Sequence, residues 1–255
     1  MSERRLILIR HGQTEYNATG RMQGQLDTDL SETGLAQVQA AAQVVADWPV
    51  STVVASDLRR ARDTANVLAA RWGVPVATDA RLRETDLGRW QAASHHEIDR
   101  DYPGQRAYWR HDPTWAPPGG ETRLQVADRA EAVVRELLAG GAFDGGHVVL
   151  VAHGGTIAAL TARLLGVRHE DYPMLSGLGN VCWAQLVARP RFMDARDHAP
   201  HQPAVDGSTV PMAPAVGEEA QVNPRWHLEG WNVGVNAAAP MSAPSPDEGG
   251  EDAPS

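Results

Sequence analysis

The sequence predicts an α/β fold: a three-layer sandwich with a mostly parallel central sheet and helices on both faces. Three observations carry this. The runs 5–10, Val50–Ala55 and His147–Ala152 are short, continuously apolar and rich in β-formers, as strands covered on both sides are. Segments with apolar residues at helical spacing alternate with them, and that alternation builds parallel sheets. The 255 residues suffice for one such domain with a sizeable core.

Taken in order, the first run ends in Arg10-His11-Gly12. Ser31 can cap a helix whose Leu35, Val38, Ala42 and Val45 recur on one side. Val50–Ala55 passes through Ser56 into a helix over 57–71 with Leu58, Ala61, Ala65 and Leu68 inward. A further amphipathic helix covers 122–139, with Val126, Ala130, Val133 and Leu137 inward. His147–Ala152 then meets His153-Gly154-Gly155 and a helix over 156–165. Segments 180–187 and 226–231 read as additional strands. Residues 189–224 are dense in Pro, Ala, Gly and polar residues and predict a flexible loop. Residues 235–255, with Asp247, Glu248, Glu251 and Asp252, predict a disordered acidic tail, which leaves 1–234 as a single domain.

Composition removes several functions. A net charge of −9 argues against a general nucleic-acid binder. All 23 basic residues are arginine, so a lysine Schiff base, pyridoxal-phosphate attachment and a P-loop lysine are impossible. The single cysteine, Cys182, sits in an apolar run and reads as a small buried hydrophobe. The apolar stretch 6–9 is too short for a signal peptide, and no run reaches membrane-spanning length, so a cytoplasmic, reducing location is the default expectation.

Ligands of open parallel sheets bind beyond the carboxyl ends of the strands. Two strands here end in a histidine followed by glycine, so if they are neighbours His11 and His153 meet at one rim, where glycine admits close approach. The N–H groups of the helix after Gly155 face the same way and favour an anion. The strand Val50–Ala55 delivers Arg59 and Arg60 toward that rim. Two histidines and two arginines suit a dianionic phosphoryl group, because guanidinium binds phosphate oxygens in a fork. Neighbouring Arg10 and Arg60 favour a neutral, nucleophilic His11. A carboxyl beside the phosphate must protonate the leaving oxygen; Glu84 is the candidate, and spacing alone does not separate it from Asp86.

The stretch 8–17, Leu-Ile-Arg-His-Gly-Gln-Thr-Glu-Tyr-Asn, resembles the signature of the histidine phosphatase superfamily, which includes cofactor-dependent phosphoglycerate mutases. Arg21-Met22-Gln23-Gly24, Asp29-Leu30-Ser31, Ser56 through Thr64, Arg83-Glu84, Gly119-Gly120-Glu121-Thr122 and Ala152 through Gly155 follow in that family's order, over roughly 4–187. The resemblance implies a phosphoglycerate mutase-like fold. It makes His11 the nucleophile that becomes phosphohistidine, and Glu84 the proton donor. Arg10, Arg60 and His153 become the phosphate pocket, and Asn17, Gln23 and Gly154 substrate contacts. It implies no metal and no cofactor, and a homodimer. Segments 81–91, 114–117 and 225–232 resemble the part of the family that acts on a small phosphorylated sugar acid: glucosyl-3-phosphoglycerate, with the mannosyl analogue as a second candidate and methylglucose lipopolysaccharide synthesis as the setting.

Other residues are weighed against plainer roles. His95-His96 cannot face one side of a helix and reads as surface. His198 and His201 fall in the expected loop, short of ligands for a metal. Trp90, Trp109 and Trp115 lie where this family builds a substrate-facing cap, although packing accounts for any one of them. Arg83, Arg106, Arg110 and Arg123 are candidates for a substrate carboxylate or for plain solvated positions. The alternatives to a phosphatase are a phosphoglycerate mutase, a broad-specificity histidine phosphatase and a non-catalytic phospholigand-binding module.

Overall fold

The computed structural model describes residues 4–175, 177–190 and 224–234. In chain order these form β1 (Arg4–Arg10), α1 (Glu15–Ala18), α2 (Glu32–Val44), β2 (Val50–Ala55), α3 (Arg59–Trp72), β3 (Val76–Thr78), α4 (His95–Asp101), α5 (Gln105–His111), α6 (Arg123–Ala139), β4 (His147–Ala152), α7 (Gly154–Leu165), β5 (Trp183–Arg189) and β6 (Arg225–Val233). The sheet order is β3-β2-β4-β1-β5-β6. β3, β2, β4 and β1 pair in parallel, while β5 runs antiparallel to both β1 and β6.

The three layers follow from the two-residue period of a strand. Leu6 and Leu8 of β1, with Val148 and Leu150 of β4, pack against Val133 and Val134 of α6 and Ile157 and Leu160 of α7. The intervening Ile7, Ile9, Val149 and Val151 pack against Val38 and Ala42 of α2 and Ala61 and Leu68 of α3. Central strands so covered are continuously apolar, and each fully buried aliphatic side chain contributes roughly 1.5–3 kcal/mol. A smaller cluster of Met22, Leu87, Trp90 and Ile98, ringed by Tyr102, Trp109 and Trp115, forms a cap with α4 and α5.

Several boundaries differ from the sequence expectation, each for a local reason. Leu58 is extended (φ −65°, ψ 133°), so α3 starts at Arg59 rather than at 57. His153 is also extended, and α7 starts at Gly154, two residues early. Val181 takes φ 57°, a left-handed conformation that delays β5 to Trp183. Ser31 does cap α2, accepting from Gly34 N at 3.0 Å, but Leu35 is 44% exposed rather than inward. Leu137 is only half-buried, and its neighbour Leu138 takes the inward place. Arg189 lies in β5. The rest of the loop expected over 189–224, Pro190 and Pro224 apart, and the tail expected over 235–255 fall outside the described residues, as do His198 and His201. Among the described residues no helix is long and apolar enough to cross a membrane.

Candidate active site

β1 and β4 pair with Arg10 opposite Ala152, so the next residues, His11 and His153, leave the sheet side by side. Their ring centroids are 5.1 Å apart at 62°. Gly12 makes this end of β1 possible: a Cβ there would meet Gly34 O and Val38 Cγ2, both at 2.8 Å. Its N–H donates to Thr64 Oγ1 at 3.1 Å, which ties the strand end to α3 one turn beyond Arg60.

The His11 tautomer follows from its contacts. Nδ1 lies 2.7 Å from Gly12 O, a carbonyl that can only accept, so the ring proton sits on Nδ1 and Nε2 keeps its lone pair. Arg60 Nε points at that nitrogen from 3.3 Å. Burial, then the charges of Arg60 and Arg10, hold the His11 pKa well below its usual 6.5. A neutral imidazole with an outward lone pair is what nucleophilic attack requires. His153 is fully buried beside it, with neither ring nitrogen partnered among the described residues, and burial followed by Arg60 keeps it neutral too.

Arg60 is fully buried, and its Nη1 and Nη2 donate to Leu26 O (2.7 Å) and Gly24 O (2.8 Å). Burial lowers its pKa to about 10. Adjacent Arg59 is half-buried, paired with Asp27 and Asp29, and off the cavity wall that Arg60 lines. Arg10 Nη1 donates to Leu178 O while its buried Nε has no partner among the described residues, and burial lowers its pKa as well.

Glu84 approaches from the loop after β3. Arg83 anchors this loop to the start of α3 by a two-point pair with Asp57 (2.8 and 2.6 Å). The Glu84 carboxylate accepts from Thr85 N (2.8 Å), Gly155 N (3.1 Å) and Thr156 N (3.2 Å). The start of α7, expected to be open to a phosphate, is thus engaged by this side chain. A Cβ on Gly155 would sit 2.5 Å from Glu84 Oε1, so glycine there admits the carboxylate. Asp86 accepts from Gly88 N within its own turn and does not line the cavity, whereas Glu84 does.

Arg10, His11, Asn17, Gln23, Arg60, Glu84 and Gly155 line one cavity of about 160 Å³, with Arg21, Met22, Gly24, Thr85, Leu87 and Trp109 completing it. Gly154 is not on its wall; Gly155 takes the place expected for it. His153 lies against the His11 ring rather than on the wall. Asn17 Oδ1 accepts from Thr14 N (3.1 Å) and Asn180 Nδ2 (3.2 Å), while Gln23 is held by Thr14 and Thr28. The volume suits a phosphoryl group on a short stem, so a hexose would extend beyond it. Of the three tryptophans, Trp109 alone lines the cavity; Trp90 is fully buried, and Trp115 packs on it at 5.5 Å. His95 and His96 are exposed, and Cys182 is buried, as expected.

Two groups escaped the sequence reading. Arg129 of α6 donates to Arg81 O (2.6 Å) and Glu84 O (3.0 Å) while pairing with Glu121. Its signal was its register: it falls between Val126 and Val133 on the apolar side of the helix, an odd place for a solvated cation. Asn180, which donates to His11 O at 3.1 Å, left no comparable signal.

The family model for the histidine phosphatase superfamily (branch 1) matches residues 6–196. A glucosyl-3-phosphoglycerate phosphatase of Mycolicibacterium vanbaalenii is 48% identical over 243 residues, 93% of this chain and 98% of that protein. A Mycobacterium tuberculosis protein of the same name is 54% identical over 192 residues, 73% of this chain and 86% of that one. The native structure of a mycobacterial glucosyl-3-phosphoglycerate phosphatase superposes with a TM-score of 0.76 at 44% identity, covering 91% of this chain and 99% of that one. With its motifs, its sheet and these relatives in agreement, the chain belongs to the histidine phosphatase superfamily.

Proposed function

We propose that this protein is a phosphate-monoester hydrolase acting through phosphohistidine at His11, with glucosyl-3-phosphoglycerate as its substrate and the mannosyl analogue as a secondary one. The observation that carries the chemistry is the neutral His11 ring, its Nε2 facing Arg60, on the same cavity as the Glu84 carboxylate. The substrate assignment is supported by the names of the relatives.

In the first step His11 Nε2 attacks phosphorus in line, and the P–O bond to the alcohol breaks as Glu84 gives its proton to the departing oxygen. A phosphoryl dianion next to Glu84 favours the protonated carboxyl that this needs. In the second step Glu84 takes a proton from water as the water attacks phosphohistidine, releasing inorganic phosphate and restoring both groups. Arg10, Arg60 and His153 bear the charge on the transferring oxygens.

The test is phosphate release from glucosyl-3-phosphoglycerate, mannosyl-3-phosphoglycerate, 3-phosphoglycerate and p-nitrophenyl phosphate, by the wild-type chain and by His11→Ala. Turnover highest on the first and abolished in the folded variant supports the reading; substantial turnover in His11→Ala refutes the mechanism. A flat profile refutes the substrate in favour of a broad-specificity phosphatase, and exchange of 2- and 3-phosphoglycerate without net release makes the protein a mutase. The same reading places a homodimer in a reducing, cytoplasmic compartment, with methylglucose lipopolysaccharide synthesis downstream. Light scattering tests the subunit number.

A further inference from the structure

Most arginines around the cap and the active-site loops are matched with carboxylates: Arg59 with Asp27 and Asp29, Arg83 with Asp57, Arg106 with Asp99, and Arg129 with Glu121. Arg123 is not. It is the first residue of α6, half-buried, and its Nη1 donates only to a backbone carbonyl, Arg110 O, at 3.1 Å. Its guanidinium carbon lies 5.1 Å from the centre of the Trp109 ring.

This placement does little for the fold. The first turn of a helix favours anions, and the first turn of α6 holds no acidic residue to offset the charge. Burial pushes the Arg123 pKa down, and Glu84 is the group whose charge acts the other way. Trp109, against which the guanidinium rests, lines the phosphate cavity, and its Nε1–H is buried with no acceptor. Among the described residues, a cation with no carboxylate in ion-pair contact and an indole donor with no acceptor thus stand together beside the cavity, which Trp109 lines and Arg123 does not.

We infer that Arg123 and Trp109 form a subsite for the carboxylate of a phosphorylated acid substrate, so that this pair selects acids over neutral phosphate esters. The inference rests on the phosphatase reading and deepens it. Arg10 and Arg60 serve the phosphoryl group, and the second anion of the substrate needs a receiver of its own. A flat guanidinium meets a carboxylate with two parallel N–H bonds, and the Trp109 ring beneath it supplies an apolar floor. The Trp109 face also fixes the guanidinium plane, so that little rotamer freedom is lost on binding.

The test compares kcat/KM for glucosyl-3-phosphoglycerate and for its methyl ester, which carries the same phosphate and sugar without the carboxylate charge. For the wild-type chain the acid should exceed the ester by about 10- to 100-fold, the loss expected for a charged hydrogen bond. Arg123→Gln should bring that ratio close to one, mostly through a higher KM for the acid. Arg123→Lys, a point charge without the fork, should give an intermediate ratio, and it carries the test alone if the glutamine variant does not fold. A structural role would lower both substrates by one factor and keep the ratio; that result, or a wild-type ratio near one, overturns the inference. Absence of phosphate release from either substrate by the wild-type chain would instead overturn the phosphatase reading on which it rests.

Discussion

Two buried imidazoles that stay neutral make the stability of this protein depend on pH in a defined window. Unfolding delivers His11 and His153 to water, where an imidazole has a pKa of about 6.5. In the native state burial and the neighbouring guanidinium groups hold both well below that value. Below pH 6.5 the unfolded chain therefore binds protons that the native chain does not, and stability falls as the pH is lowered. It is fully present above the unfolded value. Each ring contributes a limiting slope of about 1.4 kcal/mol per pH unit, and for two rings the integrated loss between pH 7 and pH 5 approaches about 4 kcal/mol. That is a large part of an ordinary domain's 5–15 kcal/mol. Carboxylates whose pKa values lie below the usual 3.8, such as Asp57, Asp79 and Asp99, act in the same direction but only at lower pH, so the window belongs to the histidines. His147, lowered by burial and then by Arg5, adds a smaller amount in the same sense. The assay is urea unfolding followed by tryptophan fluorescence at half-unit steps from pH 7.5 to 5. The wild-type chain should lose stability steadily below 6.5, His153→Asn should lose about half as much, and His11→Asn with His153→Asn should be nearly flat. A wild-type profile that is level across the window, or a double variant as steep as wild type, would show that the rings titrate normally in the native state.

Further outcomes follow from the same geometry. Arg60→Lys keeps the charge but cannot serve Leu26 O, Gly24 O and His11 Nε2 together, so kcat should fall about 100-fold in steady-state phosphate release while the circular dichroism is kept. Gly155→Ala would press a Cβ on Glu84 Oε1; because the carboxylate is the movable partner, thermal stability should change by about 1 kcal/mol or less while kcat drops at least about 10-fold. Arg129→Met strips donors from Arg81 O and Glu84 O and removes the ion pair of Glu121, which keeps its bond from Asp86 N; this should cost roughly 2–3 kcal/mol in urea unfolding and lower kcat as the Glu84 loop loosens. Trp90→Ala, which empties the centre of the cap, should cost about 3–5 kcal/mol by the same method.

What could be read from the sequence was what repeats. β1, β2 and β4 are apolar on both faces because helices cover both faces, and α2, α3 and α6 show one apolar stripe each, so periodicity finds them; α7 is buried nearly all round and is marked instead by the strand and glycines before it. β3 has three residues and no pattern to detect. The cap helices α4 and α5 have seven residues each, too short for a stripe, although Ser94 and Glu97 form a capping box that marks the start of α4. At the site, His11, His153 and Arg60 were placed by strand ends that the sequence displays. Glu84 was not, because its loop is set by contacts from Asp57, Gln25 and Arg129, distant in sequence and of no fixed spacing. The engagement of the α7 start by that carboxylate was invisible for the same reason.

These contacts suggest how one pocket both favours a dianion and keeps a nucleophile unprotonated within a chain of net charge −9. The net charge acts at a distance and is screened within about a Debye length. The pocket charges act at contact: Arg60 and Arg10 sit against His11, and among the described residues their Nη groups are held by the carbonyls of Leu26, Gly24 and Leu178, with no carboxylate in ion-pair contact. A carboxylate partner would neutralise each guanidinium and remove its pull on phosphate, whereas a carbonyl fixes the geometry and leaves the charge. The same unneutralised charge disfavours an imidazolium at His11. Holding arginine by backbone oxygen thus accounts for two properties of the site at once, the attraction of the phosphoryl group and the unprotonated Nε2 that attacks it.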